Sequence, residues 1–263
     1  MKSDPRSISL DEARDALVAA GVTGPHQSHS RRSTLGKIEP LIELDPDKTF
    51  GMSGMGRFTP AQVLGFMAEL TGCDPDLECL DDDNIDPDRT VAGIVAAAER
   101  LRDHARAGGN LLVATGHPTG MLEHNMRVVD AFVAAGGKLV RPREEEQIPM
   151  RGRPGRHFEV RYTGGVGCLA DWGQLKHTHL SDAMEALLEG EPWPEMVFAD
   201  HGFAGAAIER GIPTIAVMDI NDHALAVAWG QGRDVTIVPL DDNRPARLYE
   251  PSWRLFQQII GGE

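Results

Sequence analysis

The stretch MVFADHGFAGAAIERGIPTIAVM, Met196 to Met218, decides the fold. Two short apolar runs, Met196–Ala199 and Thr214–Met218, flank a segment of helical character, GAAIERG. Strand, helix and strand joined by short links are the signature of a parallel pair with a crossover helix. A second helix, HALAVAWGQG, and a third strand, VTIVPL, follow at once. Upstream, Leu111–Ala114 reads as a strand, TGHPTG as its exit loop, Met121–Ala135 as a helix and KLVRP as another strand. His157–Tyr162 and Val166–Ala170, joined through Gly164-Gly165, read as a hairpin, and Gln174–Thr178 as a further strand. Ser181 is placed to cap a helix that ends at Gly190. The expected class is α/β, a mostly parallel doubly wound sheet with an N-terminal helical segment.

That segment, residues 1–108, is expected to pack on an α/β domain of residues 109–263 that carries the site. Ser9-Leu10-Asp11-Glu12 is a capping box opening a helix that Gly21 ends. Thr59-Pro60 starts a helix ending near Gly72, and Asp86-Pro87 starts a long one ending at Gly108-Gly109. Between Thr23 and Gly56 the density of Gly, Pro and Ser suggests a long loop with one strand-like run, Pro40–Leu44. Cys73–Asp88 reads as a solvated acidic loop and Arg141–Arg156 as a mobile one.

Composition narrows the function. The chain has 263 residues, 41% hydrophobic and 25% charged, with a formal charge of −14. Such a balance repels phosphate backbones and argues against nucleic acid as a partner. No apolar run approaches the roughly 18 residues of a membrane span. MKSDPRSISLDEARD has no apolar core behind its lysine, so no secretory leader is expected. Three cysteines without a CxxC pair fit reduced thiols. A cytoplasmic protein acting on a small anionic metabolite is the expectation; the sequence sets no oligomeric state.

Ligands of open parallel sheets sit beyond the carboxyl ends of the strands, so the residues after each apolar run matter most. They are Thr115-Gly116-His117-Pro118-Thr119-Gly120, then His177-Thr178-His179, Asp200-His201-Gly202, Asp219-Ile220-Asn221-Asp222-His223, and Asp241-Asp242-Asn243. In an extended chain, His177 and His179 point the same way. With Asp200, Asp219 and Asp222 they form a mixed imidazole and carboxylate set suited to a divalent ion, Mg, Mn, Zn or Fe. His201 and His117 are candidate proton carriers beside Asp200. The amides from Gly116 to Gly120, with Thr115, Thr119 and Asn221, are candidates to hold an anion. Lys37 and the RGRPGR segment offer further positive charge. Asp241-Asp242-Asn243 reads as a turn; His26 and His29 read as a loop without a site; His104, His124 and His157 read as surface residues.

The order TGHPTG, HTH, ADHGFAG and DINDH resembles a group of actinobacterial proteins labelled phosphatases, whose versions run TGHPGG, HTH, ADHGWAG and D-x-ND. The matching positions are Thr115, Gly116, His117, Gly120, His177, His179, Asp200, His201, Gly202, Asp219, Asn221 and Asp222. The group has proline at His223, which leaves that residue outside the implied site. The resemblance implies a hydrolase. A fainter likeness to the glutamate cyclase family rests on the TGHP loop, without that family's G-D-G-G-N-E-type run. Three readings therefore stand: a metal-dependent hydrolase of a small phosphomonoester, a lyase or cyclase of a small carboxylate, and a metabolite-binding module.

Overall fold

The computed structural model describes residues 7–153 and 155–262. Met1 to Arg6, part of the N-terminal stretch read for a leader, and Pro154 of RGRPGR lie outside the described residues. In chain order the elements are α1 (Leu10–Ala20), β1 (Gly24–Pro25), α2 (Arg31–Leu35), α3 (Ile38–Ile42), α4 (Pro46–Thr49), α5 (Pro60–Thr71), β2 (Asn84–Ile85) and α6 (Pro87–Arg106). Then come β3 (Asn110–Thr115), α7 (Pro118–Ala134), β4 (Lys138–Leu139), β5 (Gln147–Ile148), β6 (Phe158–Thr163), β7 (Val166–Asp171), β8 (Gln174–Leu175) and α8 (Asp182–Leu187). The chain closes with β9 (Met196–Asp200), α9 (His201–Glu209), β10 (Thr214–Met218), α10 (His223–Gly230), β11 (Val235–Pro239) and α11 (Glu250–Gly261).

The main sheet runs β11-β10-β9-β3-β7-β6-β5. Its centre is parallel: β11, β10, β9, β3 and β7 point the same way, and β6 returns antiparallel against β7. Each central strand alternates between two apolar layers, as a sheet covered on both faces must. Leu112, Ala114, Val197, Ala199, Ala216 and Met218 face a layer that includes α5, α8, α9 and α10. Leu111, Val113, Met196, Phe198, Ile215 and Val217 face α1, α6, α7 and α11. The doubly wound α/β class is therefore the observed one. No helix among the described residues is long and apolar enough to cross a membrane.

The Ser9 capping box holds, its hydroxyl accepting from the Glu12 amide, and Thr59 caps α5 as expected, with Gln62 completing a second box. Several expectations need correction. The stretch from Thr23 to Gly56 carries three short helices, and Pro40–Leu44 falls on α3 and its exit rather than on a strand. Ser30 and Asp45 cap two of these helices through their side chains, a signal hidden by the surrounding Gly and Pro. KLVRP and Gln174–Thr178 shrink to the two-residue strands β4 and β8, so His177 lies beyond a strand. Helix α7 begins at Pro118, three residues before Met121, with proline at its first position. And α11 closes the second layer, burying Leu255, Phe256 and Ile260.

His124 is the clearest departure from a surface reading. It is fully buried between α7 and α11, where Nδ1 lies 2.9 Å from Asn125 Oδ1 and Nε2 lies 2.9 Å from Ser252 Oγ. Burial pushes its imidazole from the ordinary 6.5 down to about 4. Below pH 6.5 the unfolded chain takes up a proton here that the folded chain refuses. The stability His124 contributes is thus complete above pH 6.5 and is lost toward pH 4. His124→Ala is expected to lower stability by about 2–4 kcal/mol at pH 7.5, from the lost packing and two orphaned partners. Urea midpoints should show the gap between wild type and variant narrowing as pH falls through that window.

Candidate active site

The exits of β3, β9, β10 and β11 lie side by side, because these four strands are consecutive neighbours in one parallel sheet. Their residues form one buried cluster. His201 opens α9 with φ of 44°, in the left-handed region that a non-glycine residue adopts at a cost of order 1–3 kcal/mol. The sharp exit from β9 puts the imidazole among acidic groups: Nε2 lies 3.2 Å from Asp242 Oδ2 and 3.6 Å from Asp222 Oδ2, and Nδ1 lies 3.5 Å from Asp200 Oδ1. His117 Nδ1 lies 3.1 Å from Asp242 Oδ1. Asp242 therefore stands between two imidazoles, and its Oδ2 and His201 Nδ1 are buried without a hydrogen-bond partner.

The HTH segment lies across this cluster. The His177 ring stacks on His117 at 4.3 Å, His177 Nε2 is 3.0 Å from His179 Nε2, and the His179 and His201 rings are 4.5 Å apart. Two glycines permit the approach. A Cβ at Gly116 would come within 2.3 Å of Thr178 O, and one at Gly202 within 2.4 Å of His179 O. The Thr178 amide donates to Gly116 O at 2.9 Å and pins the segment in place. Gly202 sits beside Asp200-His201 because backbone from another element occupies the space of its missing side chain.

The expected residues divide. His117, His177 and His201 bring ring nitrogens within 4.8 Å of one another, as His201, Asp222 and Asp242 bring ligand atoms. Asp200, expected among metal ligands, accepts the Thr115 hydroxyl through Oδ2 and the Gly116 amide through Oδ1 at 2.5 Å, so its oxygens orient the β3 loop. Asp219 lies on the far side of the cluster: its amide donates to Asp222 Oδ2 at 3.0 Å, and its carboxylate faces His26 and His29. The expected anion loop is also rearranged. The Gly116 amide is held by Asp200, that of His117 by Thr115 Oγ1, and that of Gly120 by His117 O. Thr119 is exposed, and Gly120 packs against the backbone of Asp242 and Arg244.

Electrostatics follow from burial. Asp200 and Asp219 are pushed up to about 6, and Asp222 is raised, chiefly by loss of water. Asp242 is raised well above the carboxylate range, first by burial and then by Asp222 and Asp200. His201 is held well below its ordinary value by burial and by the neighbouring imidazoles, so its ring is neutral and able to ligate. A buried group of acids with neutral imidazoles and unpartnered atoms fits a cation better than it fits protons alone.

A narrow cleft opens onto the cluster, lined by Lys37, Lys48, Phe50, His179, Asn221, Asp222 and His223. Its free volume is about 10 Å³, room for one water-sized group. His179 reaches it, with Nδ1 3.2 Å from Asp47 Oδ2. Burial pulls the Lys37 ammonium below its usual range. His223 reaches this cleft as well, although the proline of the resembling group leaves it outside the implied site.

Four residues here are ones the sequence does not single out: Asp242 reads as part of a turn, Asp47 as part of a long loop, and His26 and His29 as loop residues without a site. Only the last pair carried a local hint, the His-x-x-His spacing in GPHQSHS.

The family model described as Phosphatase matches residues 8–259. A Streptomyces coelicolor protein that bears the name phosphatase is 33% identical over 255 residues, covering 94% of this chain and 94% of its own.

Proposed function

This chain belongs to the phosphatase family, and from that premise we propose that it is a metal-dependent hydrolase of a small phosphomonoester. The observation that carries the reading is Asp242, buried between His117 and His201 and beside Asp222, with one carboxylate oxygen lacking a hydrogen-bond partner. His201, Asp222 and Asp242 would hold a divalent ion, with His117 and His177 flanking it. When bound, the ion supplies charge neutralisation and Lewis-acid polarisation of a phosphoryl oxygen.

The chain's own residues do the rest. The narrow cleft has room for one water-sized group, so it would take a single phosphoryl oxygen and leave the rest of the ester outside. Lys37 and Lys48 attract the dianion to the mouth, against the background of net negative charge. Asn221, on the same wall, would donate to a phosphoryl oxygen. His179 is placed to hand a proton to the departing ester oxygen, since it lines the cleft while His117 and His201 are 5% and 2% exposed behind it. Asp47 fixes its ring through Nδ1. His177, exposed and adjacent, links that imidazole to solvent.

Phosphate release from a panel of phosphomonoesters tests the reading. The purified protein is expected to release phosphate, to lose at least about 10²-fold in rate after EDTA treatment and dialysis, and to regain it with one of Mg, Mn, Zn or Fe. Absence of release with all four ions, or full activity in the chelated protein, removes the proposal.

A further inference from the structure

Beyond the proposed catalytic cluster, the loop that leaves β1 brings two more imidazoles to the same sheet edge. His26 Nε2 lies 3.6 Å from Asp219 Oδ1, and His29 Nε2 lies 3.4 Å from Asp219 Oδ2. The two rings are stacked at 5.5 Å. The His26 side chain is completely buried, and neither of its ring nitrogens has a hydrogen-bond partner. A buried imidazole with both nitrogens unmet is costly, on the order of 1–3 kcal/mol for each unmet group. Such a group needs a physical reason.

We propose that His26, His29 and Asp219 form a second metal site, taking a borderline divalent ion of the first transition row such as Zn²⁺. Two imidazoles and a carboxylate suit that class rather than Mg²⁺ or Ca²⁺, which prefer oxygen ligands alone. The approach allows it: one ligand atom from each of the three side chains lies within 4.8 Å of the others, and the two histidines face different oxygens of the one carboxylate. The surrounding groups are those a bound imidazole needs. His26 Nδ1 faces Asp241 Oδ2 at 3.7 Å, the arrangement in which a carboxylate orients a ligating histidine through its second nitrogen. Asp241 is itself held by Ser28, whose hydroxyl donates to its carboxylate at 2.7 Å. The His26 backbone is fixed by pairing of β1 with β2 and by its amide donating to Asp83 O at 2.8 Å. Asp219 Oδ1 accepts the Ile220 amide at 2.6 Å, which sets the plane of that carboxylate.

This site stands on residues separate from those proposed to hold the catalytic ion. The two are coupled through short links: the Asp219 amide donates to Asp222 Oδ2, and Asp241 precedes Asp242 in the chain. The sheet edge would therefore hold two ions in adjacent positions, each with its own imidazoles.

The test uses metal-stripped full-length protein titrated with Zn²⁺ by calorimetry and with Co²⁺ by visible absorption. His26→Ala/His29→Ala is expected to bind one equivalent fewer than wild type and to lose one set of Co²⁺ bands. Asp241→Asn should weaken the same equivalent about 10–100-fold, as loss of an orienting carboxylate does. Asp242→Asn should lose a different equivalent. His29→Gln, on the partly exposed side of the site, serves if circular dichroism shows the double variant unfolded. An unchanged number of equivalents after loss of His26 and His29, or of His29 alone, overturns the second site and leaves the catalytic reading intact. Full binding by Asp242→Asn, with one equivalent lost from the His26/His29 variant, sustains the second site and removes the catalytic one.

Discussion

Asp242→Asn is expected to lower kcat/KM for phosphomonoester hydrolysis by about 10²–10³-fold, the scale at which removal of a group that stabilises transition-state charge acts. The metal-free variant should at the same time be more stable than metal-free wild type at pH 7. These opposite signs have one cause. Asp242 is buried against Asp222, Asp200 and Asp241, and its carboxyl is raised well above 3.8. A carboxyl raised by folding favours the folded state below its unfolded value, and that advantage is lost as pH rises through the folded value. At neutral pH, without a cation, it opposes folding. Asparagine keeps the shape and removes the charge, so the repulsion and the ion's ligand disappear together. Thermal melts of both proteins after chelation, run beside initial rates with metal restored, check the pair of signs. A variant with wild-type rates would show that Asp242 is a structural turn residue.

Gly202→Ala is the second large effect. The added Cβ would meet His179 O at 2.4 Å and Leu180 O at 2.3 Å, both backbone atoms, so α9 and the HTH segment must separate by about an ångström to reach ordinary contact. That displacement carries His179 away from His201 and from the cleft. A shift of that size costs about 10²-fold in rate, and the strain costs about 1–3 kcal/mol of stability. Gly65→Ala provides the contrast. Gly65 lies inside α5 with nothing within 4 Å of its Cβ position, and alanine there should stabilise by about 0.5–1 kcal/mol without touching kcat. Equal behaviour of the two variants would show that the close approach at Gly202 does not position the histidines.

The sheet was legible because its strands are apolar on both faces. MVFA, TIAVM and VTIVPL can be placed only in a covered parallel sheet, and their polar exits then fall on one edge. The convergence of His117, His201 and Asp222 follows from that placement; His177 and His179 come to it from beyond β8, where the Thr178 amide holds the segment on Gly116 O. Asp242 was not legible, because Asp-Asp-Asn after a strand has the same local chemistry as a solvated turn. Its burial is set elsewhere: the Asp241 amide donates to Val22 O, and Tyr249 donates its hydroxyl to Asp241 O at 2.8 Å. The His26–Asp219 approach was hidden for a similar reason, since it joins segments far apart in the chain and depends on the small β1/β2 ribbon. Helix α11 had a readable signal, Pro251 in its first turn and apolar residues at Leu255, Ile259 and Ile260, but no strand beside it to draw attention.

Anomalous diffraction from crystals equilibrated with Mn²⁺ or Zn²⁺, recorded at the absorption edge of the added metal, tests the proposed catalytic metal centre most directly. A peak bounded by His201, Asp222 and Asp242 is the expected result. A map with no peak among those three residues, or with peaks confined to the molecular surface, would contradict it.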